Sequence, residues 1–254
     1  MSLAVRQSLS SVGSVIYWPG SSAPRGGVVC LHGSEGGLAG WNHLNCALLA
    51  ANGFAAMEHH YTNNGPFLTH PDIDNVPLEG TEAALVCLRE QLAPYGCGIG
   101  LFGASRGAEH ALLLAQLLAE ESSPALPDAV AVHSPPDAIW PAYIVADFQT
   151  GRPWAGDHER PAWAWRGGNE RTRPGILLET GRFPNPVFIA QGTADQVWGD
   201  EMARRLVARM IKADAKPEAH FFDGEDHIFA TEARNREWEL LVAFFARHLS
   251  PMAR

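Results

Sequence analysis

The segment Gly103-Ala104-Ser105-Arg106-Gly107 fits the pattern G-x-S-x-G, in which a serine lies on a sharp turn between a strand and a helix. Such a turn holds the serine in a strained backbone conformation, and the flanking glycines leave out Cβ atoms that would clash. The pattern alone is common, but here a buried strand (98–102) precedes it and a helix rich in small residues (108–119) follows it. This context predicts that Ser105 is a nucleophile that attacks a carbonyl carbon.

Asp195 and His227 are the candidates for the two groups that a serine nucleophile needs beside it, an acid to orient the base and a base to take the proton. Asp195 follows a late strand, at the carboxyl end where the ligand-facing residues of open parallel sheets lie. His227 follows the last strand. The chain order Ser, Asp, His is that of hydrolases with a G-x-S-x-G turn, and it predicts Asp195 as the acid and His227 as the base.

Five other carboxylates lie close enough in sequence to compete for the role of the acid: Asp200, Glu201, Asp223, Glu225 and Asp226. The first two fall within the predicted helix after Asp195, where carboxylates of the first turn usually interact with the helix dipole. The last three come directly before His227, and any of them could orient its imidazole. Asp195 is favoured, and these three stay open as alternatives.

The oxyanion of an acyl-transfer reaction needs two hydrogen-bond donors, which are expected to be the backbone N–H groups of Arg106 and Ser34. Arg106 follows the nucleophile directly, and Ser34 lies in the loop after the first buried strand. That loop, residues 32–37, lacks the lysine of a phosphate-binding GxxxxGK[ST] loop. Glu35 in the same loop is expected near Ser105, where it tunes the site electrostatically or caps the loop.

The predicted substrate pocket consists of one acidic and three aromatic residues: Glu35, Tyr61, Trp163 and Trp198. Segment 134–184 is rich in Pro, Gly, Trp and Arg and has weak periodicity, so we interpret it as an excursion over the active site. Its tryptophans at 140, 154, 163 and 165 either wall an apolar pocket for an acyl group or pack on one another. Both interpretations stay open.

The rest of the chain alternates short apolar runs with longer stretches of helical periodicity, which is the pattern of a parallel sheet covered by helices. Strands are predicted at 27–31, 54–59, 98–102, 129–132, 187–190 and 219–222. Helices are predicted at 41–51, 77–92, 108–119 and 198–211, and from 231 onwards, with Pro77 in a first turn and Thr231 as an N-cap. We therefore expect one α/β domain over 1–254, with a mainly parallel, doubly wound sheet and helices on both faces.

The composition excludes several classes of partner. The net charge is −9, from 19 basic and 28 acidic residues, and no dense run of Lys or Arg occurs. Neither nucleic acid nor an anionic membrane is therefore an expected partner. No apolar run reaches the ~18 residues of a membrane span, and the N-terminus lacks the apolar stretch of a signal peptide. The four cysteines show no CxxC pair and are expected to be buried and reduced, which indicates a cytoplasmic protein.

No metal or other cofactor is expected. The side chains of His59, His60, His70 and Asp72 could suggest a metal site, but their spacing fits none of the standard zinc patterns. The first two are also adjacent on a predicted strand, so they point to opposite faces.

Several segments of the chain resemble the dienelactone-hydrolase branch of the α/β hydrolases, and more closely the catalytic domain of acyl-CoA thioesterases and bile acid-CoA:amino acid N-acyltransferases. The segments are 31–37, 76–79, 103–109, 160–167 and 195–198. The resemblance implies the α/β-hydrolase fold, the triad Ser105, Asp195 and His227, and ester or acyl-thioester substrates. The chain departs from the N-acyltransferases and dienelactone hydrolases in having Ser where they have Cys. The β-sandwich that precedes the domain in the mammalian relatives is not expected here.

The predicted function is cleavage of a small-molecule carboxylic ester or acyl thioester through an acyl-enzyme on Ser105. Serine favours hydrolysis over transfer to an amine, because its acyl-enzyme is an oxygen ester that water attacks readily. An acyltransferase with an amine or alcohol acceptor is the nearest alternative. Two further alternatives are a non-catalytic binding protein on the same fold and an enzyme with lyase or isomerase chemistry. Whether the protein forms a homo-oligomer stays open.

Overall fold

The computed structural model describes residues 5–20, 22–62, 72–149, 158–178 and 180–251. Ten strands are found there: β1 (Val5–Leu9), β2 (Val15–Pro19), β3 (Gly27–Leu31), β4 (Ala55–His59), β5 (Val76–Pro77), β6 (Ile99–Ala104), β7 (Ala129–His133), β8 (Trp163–Ala164), β9 (Val187–Gly192) and β10 (Glu218–Phe222). The α-helices are α1 (Trp41–Ala51), α2 (Glu79–Leu92), α3 (Arg106–Glu120), α4 (Val145–Gln149), α5 (Asp200–Lys212) and α6 (Thr231–Leu249).

Eight of these strands form one sheet in the order β1-β2-β4-β3-β6-β7-β9-β10. The strands from β4 to β10 run parallel, whereas β1 pairs antiparallel with β2 and β2 antiparallel with β4. The central strands β3 and β7 are buried along their whole length, as expected for strands covered on both faces. The predicted α/β class with a mainly parallel sheet is therefore confirmed.

Two hydrophobic clusters cover the two faces of the sheet. Side chains alternate along a strand, so Val29 of β3 joins the cluster that contains α2, α3 and α5, while Val28 joins the one that contains α1 and α6. Helix α3 is buried on nearly every side, which agrees with its run of Ala and Leu. It follows the Ser105 turn, so the centre of the fold holds the candidate nucleophile in place.

The structure differs from the predicted elements at several places. Strands β1 and β2 were not predicted. β1 is an edge strand with mostly exposed side chains and so lacks the pattern of a buried strand, whereas β2 is largely buried and pairs antiparallel at the margin of the parallel sheet. Pro77 does not begin a helix: it ends β5, which pairs with β8, and α2 starts at Glu79. Thr231 is the first residue of α6 and not its N-cap, which is Ala230.

Ion pairs and hydrogen bonds attach the described part of the 134–184 excursion to α2 and α3. The guanidinium of Arg166 contacts Glu82 at 2.6 Å and Glu121 at 3.1 Å. The indole N–H of Trp165 donates to Glu121 at 2.7 Å. These contacts and the β5–β8 pair hold the excursion against the helices. Trp154 lies outside the described residues.

No helix among the described residues is long and apolar enough to cross a membrane. All four cysteines, Cys30, Cys46, Cys87 and Cys97, are unpaired, and all but Cys97 are buried. The predicted burial of the thiols is thus confirmed for three of the four, and Cys97 is only partly buried.

Candidate active site

Ser105 lies on the turn between β6 and α3 with φ 55° and ψ −121°, a left-handed region that non-glycine residues rarely adopt. The turn forces the strand and the helix into close contact. A Cβ atom on Gly103 would overlap the carbonyl of Gly107, and one on Gly107 would overlap the carbonyl of His32. The two glycines of the pattern are therefore required by packing, and the strained turn presents the Ser105 hydroxyl to a cavity.

Ser105, His227 and Asp195 form one continuous chain of hydrogen bonds. Nε2 of His227 lies 2.9 Å from the Ser105 Oγ, and Nδ1 of His227 lies 2.8 Å from Oδ2 of Asp195. A carboxylate only accepts, so Nδ1 carries the proton and Nε2 is left to accept from the hydroxyl. Three side chains that are far apart in sequence thus come together in the arrangement of a nucleophile, its base and an orienting acid.

The carboxylate of Asp195 is surrounded by donors besides the imidazole. Its Oδ1 accepts from the backbone N–H groups of Val197 at 2.8 Å and Trp198 at 2.9 Å, and its Oδ2 accepts from the Gln191 side chain at 3.0 Å. Burial raises the pKa of Asp195, but the hydrogen bond from His227 and those from the backbone outweigh it and hold the pKa below its usual value. Asp195 is therefore ionised at neutral pH.

The competing carboxylates have other partners. Asp226 accepts from the backbone N–H of His227 at 2.7 Å, Asp223 accepts from the Thr193 hydroxyl, and Glu225 accepts from the N–H of Ala230. Asp200 pairs with Arg204 at 2.7 Å one turn along α5. The two ring nitrogens of His227 contact Asp195 and Ser105. The geometry thus favours Asp195 over these four carboxylates, and Asp226 supports the loop that carries His227.

The two expected oxyanion donors lie beside the candidate nucleophile. Arg106 is the first residue of α3, where a backbone N–H has no acceptor within the helix. Ser34 lines the same cavity as Ser105. Glu35 also lines the cavity, and its Oε1 accepts from the N–H of Gly33 at 2.9 Å, so this carboxylate braces the loop before the expected oxyanion site.

A cavity of about 540 Å³ opens at Ser105. Its walls come from the loop after β3, the start of α1, the excursion and the His227 loop with the first turn of α6. Its apolar residues are Leu31, Trp41, Ala104, Tyr143, Val145, Ile228 and Phe229. Tyr143 and Val145 belong to the excursion, which therefore contributes to the wall as expected.

The three aromatic residues predicted for the pocket do not line this cavity. Trp163 is fully buried and donates to Glu109, while the Tyr61 ring stacks on His32 with centroids 4.0 Å apart. Trp198 is 2% exposed and packs edge-on against His227 at 5.9 Å. Tyr61 and Trp198 therefore pack against the cavity-lining residues His32 and His227, and Trp163 contacts helix α3.

The side chain of Arg106 has a role that sequence reasoning missed. Its guanidinium is 2% exposed and contacts Glu109 at 2.8 Å and the carbonyl of Pro141 at 3.1 Å. Glu109 also accepts from the backbone N–H of Trp140 at 3.1 Å. Burial raises the pKa of Glu109, and Arg106 opposes this shift. The residue after the candidate nucleophile therefore ties the excursion to α3.

Sequence reasoning also missed polar residues of the cavity wall, among them Asn45, His133 and Arg234. His133 is the last residue of β7, at the carboxyl edge of the sheet where Asp195 was sought. Applying the same rule to β7 would have found it. Asn45 and Arg234 lie within helices, and no local signal marks them.

No group of three or more His, Cys, Asp or Glu in the described ranges is arranged to bind a metal. Nδ1 of the buried His59 lies 3.2 Å from the Ser14 hydroxyl, and His60 contacts Glu58. His70 falls outside the described residues.

Comparison with known proteins defines the class of fold. No family model matches the chain. Carboxyl esterase 2 of the fungus Tuber melanosporum superimposes with a TM-score of 0.67 at 17% identity, over 98% of this chain and 89% of that one. A dienelactone hydrolase-like promiscuous phosphotriesterase from metagenomic libraries gives a TM-score of 0.63 at 16% identity, over 98% and 100%. The chain has the α/β-hydrolase fold.

Among curated proteins, the mitochondrial acyl-coenzyme A thioesterase 2 of Mus musculus is 34% identical over 107 residues. The match covers 42% of this chain but only 22% of the thioesterase. The resemblance to dienelactone hydrolases and acyl-CoA thioesterases is confirmed, since both kinds of protein are similar to this chain.

Proposed function

We propose that the protein hydrolyses a small-molecule carboxylic ester or acyl thioester through an acyl-enzyme on Ser105. The observation that carries the proposal is the unbroken contact from Ser105 through His227 to Asp195, at 2.9 and 2.8 Å. This arrangement makes a serine hydroxyl nucleophilic at neutral pH, because the base takes the proton as the new bond forms.

In the first half of the reaction, the Ser105 Oγ attacks the carbonyl carbon while His227 removes the hydroxyl proton. The oxyanion accepts from the backbone N–H groups of Ser34 and Arg106. The carbon–oxygen or carbon–sulfur bond then breaks, and His227 gives its proton to the leaving alcohol or thiol. Asp195 stays ionised throughout and holds the imidazolium.

In the second half, water attacks the acyl-enzyme. His227 takes a proton from the water as the water oxygen bonds to the acyl carbon. The bond between that carbon and the Ser105 Oγ then breaks, and His227 returns the proton to Oγ as the carboxylic acid leaves. No external oxidant, metal or cofactor is needed to balance these steps.

The class of substrate is supported by the cavity and by the related proteins. Apolar side chains from five segments of the chain form much of the wall around Ser105, which suits an acyl group. Proteins similar to the chain are named as an acyl-coenzyme A thioesterase and a carboxyl esterase.

We extend the proposal to a cytoplasmic location, because four unpaired thiols fit a reducing compartment.

The test is a comparison of wild type with Ser105→Ala on p-nitrophenyl esters, acyl-CoA thioesters and a fluorophosphonate probe. We expect turnover and labelling in wild type and neither in the variant. Ser8→Ala is the matched control, because Ser8 lies on the exposed edge strand β1. Labelling that persists in Ser105→Ala contradicts the assignment, and a folded wild type that reacts with no substrate or probe contradicts the function.

A further inference from the structure

His133 contacts the main chain of both Ser105 and His227. Its backbone carbonyl accepts from the N–H of Ser105 at 2.9 Å. Its side-chain Nε2 lies 3.0 Å from the backbone carbonyl oxygen of His227. One residue thus connects the turn that carries the candidate nucleophile with the loop that carries the candidate base.

The other ring nitrogen of His133 is held from behind. Nδ1 lies 2.8 Å from Oε1 of Glu237, a residue that is 1% exposed, and Arg234 contacts the second carboxylate oxygen at 3.2 Å. Burial raises the pKa of Glu237, but the charges and hydrogen bonds of His133 and Arg234 lower it by more than burial raises it. The pKa therefore lies below its usual value, and the carboxylate is ionised. The ring also packs edge-on against Phe229 at 4.5 Å.

The carbonyl partner of Nε2 defines the proton on this ring nitrogen of His133. A carbonyl oxygen only accepts. Nε2 faces a carbonyl oxygen, so the contact with His227 is a hydrogen bond donated by Nε2–H. The carbonyl of His227 has a second neighbour in the Ser134 hydroxyl at 3.5 Å, the limit of a hydrogen bond. The His133 contact is the stronger of the two.

We propose that His133 is a positioning residue, the Nε2–H of which fixes the loop of His227 so that the imidazole meets Ser105 and Asp195 together. The proposal rests on the hydrolase function above. The position of the loop matters because a displacement of about 1 Å in a reacting group can cost about 100-fold in rate. His133 itself transfers no proton and touches no reacting atom.

Two substitutions separate this role from a general contribution to stability. The amide nitrogen of a glutamine at position 133 would lie close to the present Nε2 and could donate to the His227 carbonyl. The amide nitrogen of an asparagine would lie close to Nδ1 and could donate only to Glu237. Each variant loses one of the two hydrogen bonds, so a merely structural role predicts similar losses from both.

The experiment measures kcat, KM and the rate of fluorophosphonate labelling for wild type, His133→Gln and His133→Asn, together with the thermal midpoint of each. We expect kcat within about 3-fold of wild type for His133→Gln and a loss of about 10- to 100-fold for His133→Asn, with KM little changed. Equal losses in the two variants, or a larger loss for glutamine, overturn the proposal.

Glu237→Gln keeps the test decisive if a His133 variant fails to fold. Its amide can donate to Nδ1 and accept from Arg234, which leaves Nε2–H directed at the His227 carbonyl. We expect kcat within about 3-fold of wild type, and a folded variant with a loss like that of His133→Asn overturns the role.

His220→Gln and His220→Asn are the matched controls. His220 also contacts a carboxylate, that of Glu218, but it lies on β10, and this contact is within its own strand. Both should leave kcat unchanged. A wild type without Ser105-dependent turnover contradicts the proposed function. An active wild type, together with a kcat for His133→Gln that is no higher than that of His133→Asn, contradicts only the role of His133.

Discussion

The indole N–H of Trp163 donates to Oε1 of Glu109 at 2.6 Å, and both side chains are fully buried. Trp163 belongs to the excursion and Glu109 to the first turn of α3, so the bond joins the segment above the cavity to the helix behind Ser105. The Arg106 guanidinium lies over the same indole, 5.3 Å from the ring centroid. The excursion is thus fixed to the nucleophile helix by a buried polar contact.

Trp163→Phe removes this donor and leaves empty volume beside a buried carboxylate. We expect the free energy of unfolding to fall by about 2–4 kcal/mol, measured by urea denaturation. Trp41→Phe is the control, because Trp41 is 46% exposed and its loss should be about 0.5 kcal/mol or less. Equal small losses in the two variants would show that the buried bond contributes little.

Asp195→Asn should lower kcat by about 10³- to 10⁴-fold and leave the fold intact. An amide nitrogen in place of Oδ2 donates to the imidazole and so leaves the proton on the wrong ring nitrogen. It also faces the donor of Gln191, which now has no acceptor there. The measurement is kcat on a p-nitrophenyl ester with circular dichroism of both proteins.

Asp223→Asn is the control for that substitution, because the Asp223 carboxylate accepts from Thr193 and lies away from the imidazole. Its kcat should stay near that of wild type. A loss in Asp223→Asn as large as in Asp195→Asn would refute Asp195 as the orienting acid.

Acid should destabilise the protein before its carboxylates titrate. Burial lowers the pKa of His59 to about 4 and that of His32 to about 3. The unfolded chain takes up these protons near pH 6.5, about two units or more above the folded protein. Between about pH 6.5 and pH 4 the unfolded state therefore binds more protons, and the free energy of unfolding falls as the pH falls.

Each of these histidines should contribute a slope of up to about 1.4 kcal/mol per pH unit in that window. Urea denaturation at a series of pH values measures it. His59→Asn should reduce the slope, whereas His158→Asn, at an exposed position, should not. An unchanged slope in His59→Asn would mean that this imidazole is not held neutral by burial.

The central part of the fold and the candidate triad could be predicted from local signals. The strand before Ser105 is a continuous apolar run, the glycines around it have no room for a side chain, and the helix after it is made of small and apolar residues. Asp195 and His227 each follow a buried or half-buried strand at the carboxyl edge of the sheet. A parallel sheet brings such positions together at one edge. The order of the three residues along the chain was therefore enough to predict them as a candidate triad.

The remaining features depend on contacts that local sequence does not encode. His133 meets Glu237 across 104 positions of the chain, and neither residue stands out in its own segment. Trp163 could not be placed either, because an aromatic residue in an irregular segment packs equally well into a pocket wall or behind one. Strand β1 escaped notice because its side chains are mostly exposed, with no apolar periodicity.

The buried pair of Arg106 and Glu109 has a consequence for how this sequence can diverge. Replacing only one partner leaves an unpaired charge in the interior and lowers the free energy of unfolding by about 3–5 kcal/mol, whereas replacing both by well-packed apolar residues is often tolerated. Because the pair also contacts Trp140, Pro141 and Trp163, substitutions here should arise as a set, together with changes in the excursion. Descendants with a remodelled substrate cavity should therefore carry a covarying block of residues on α3.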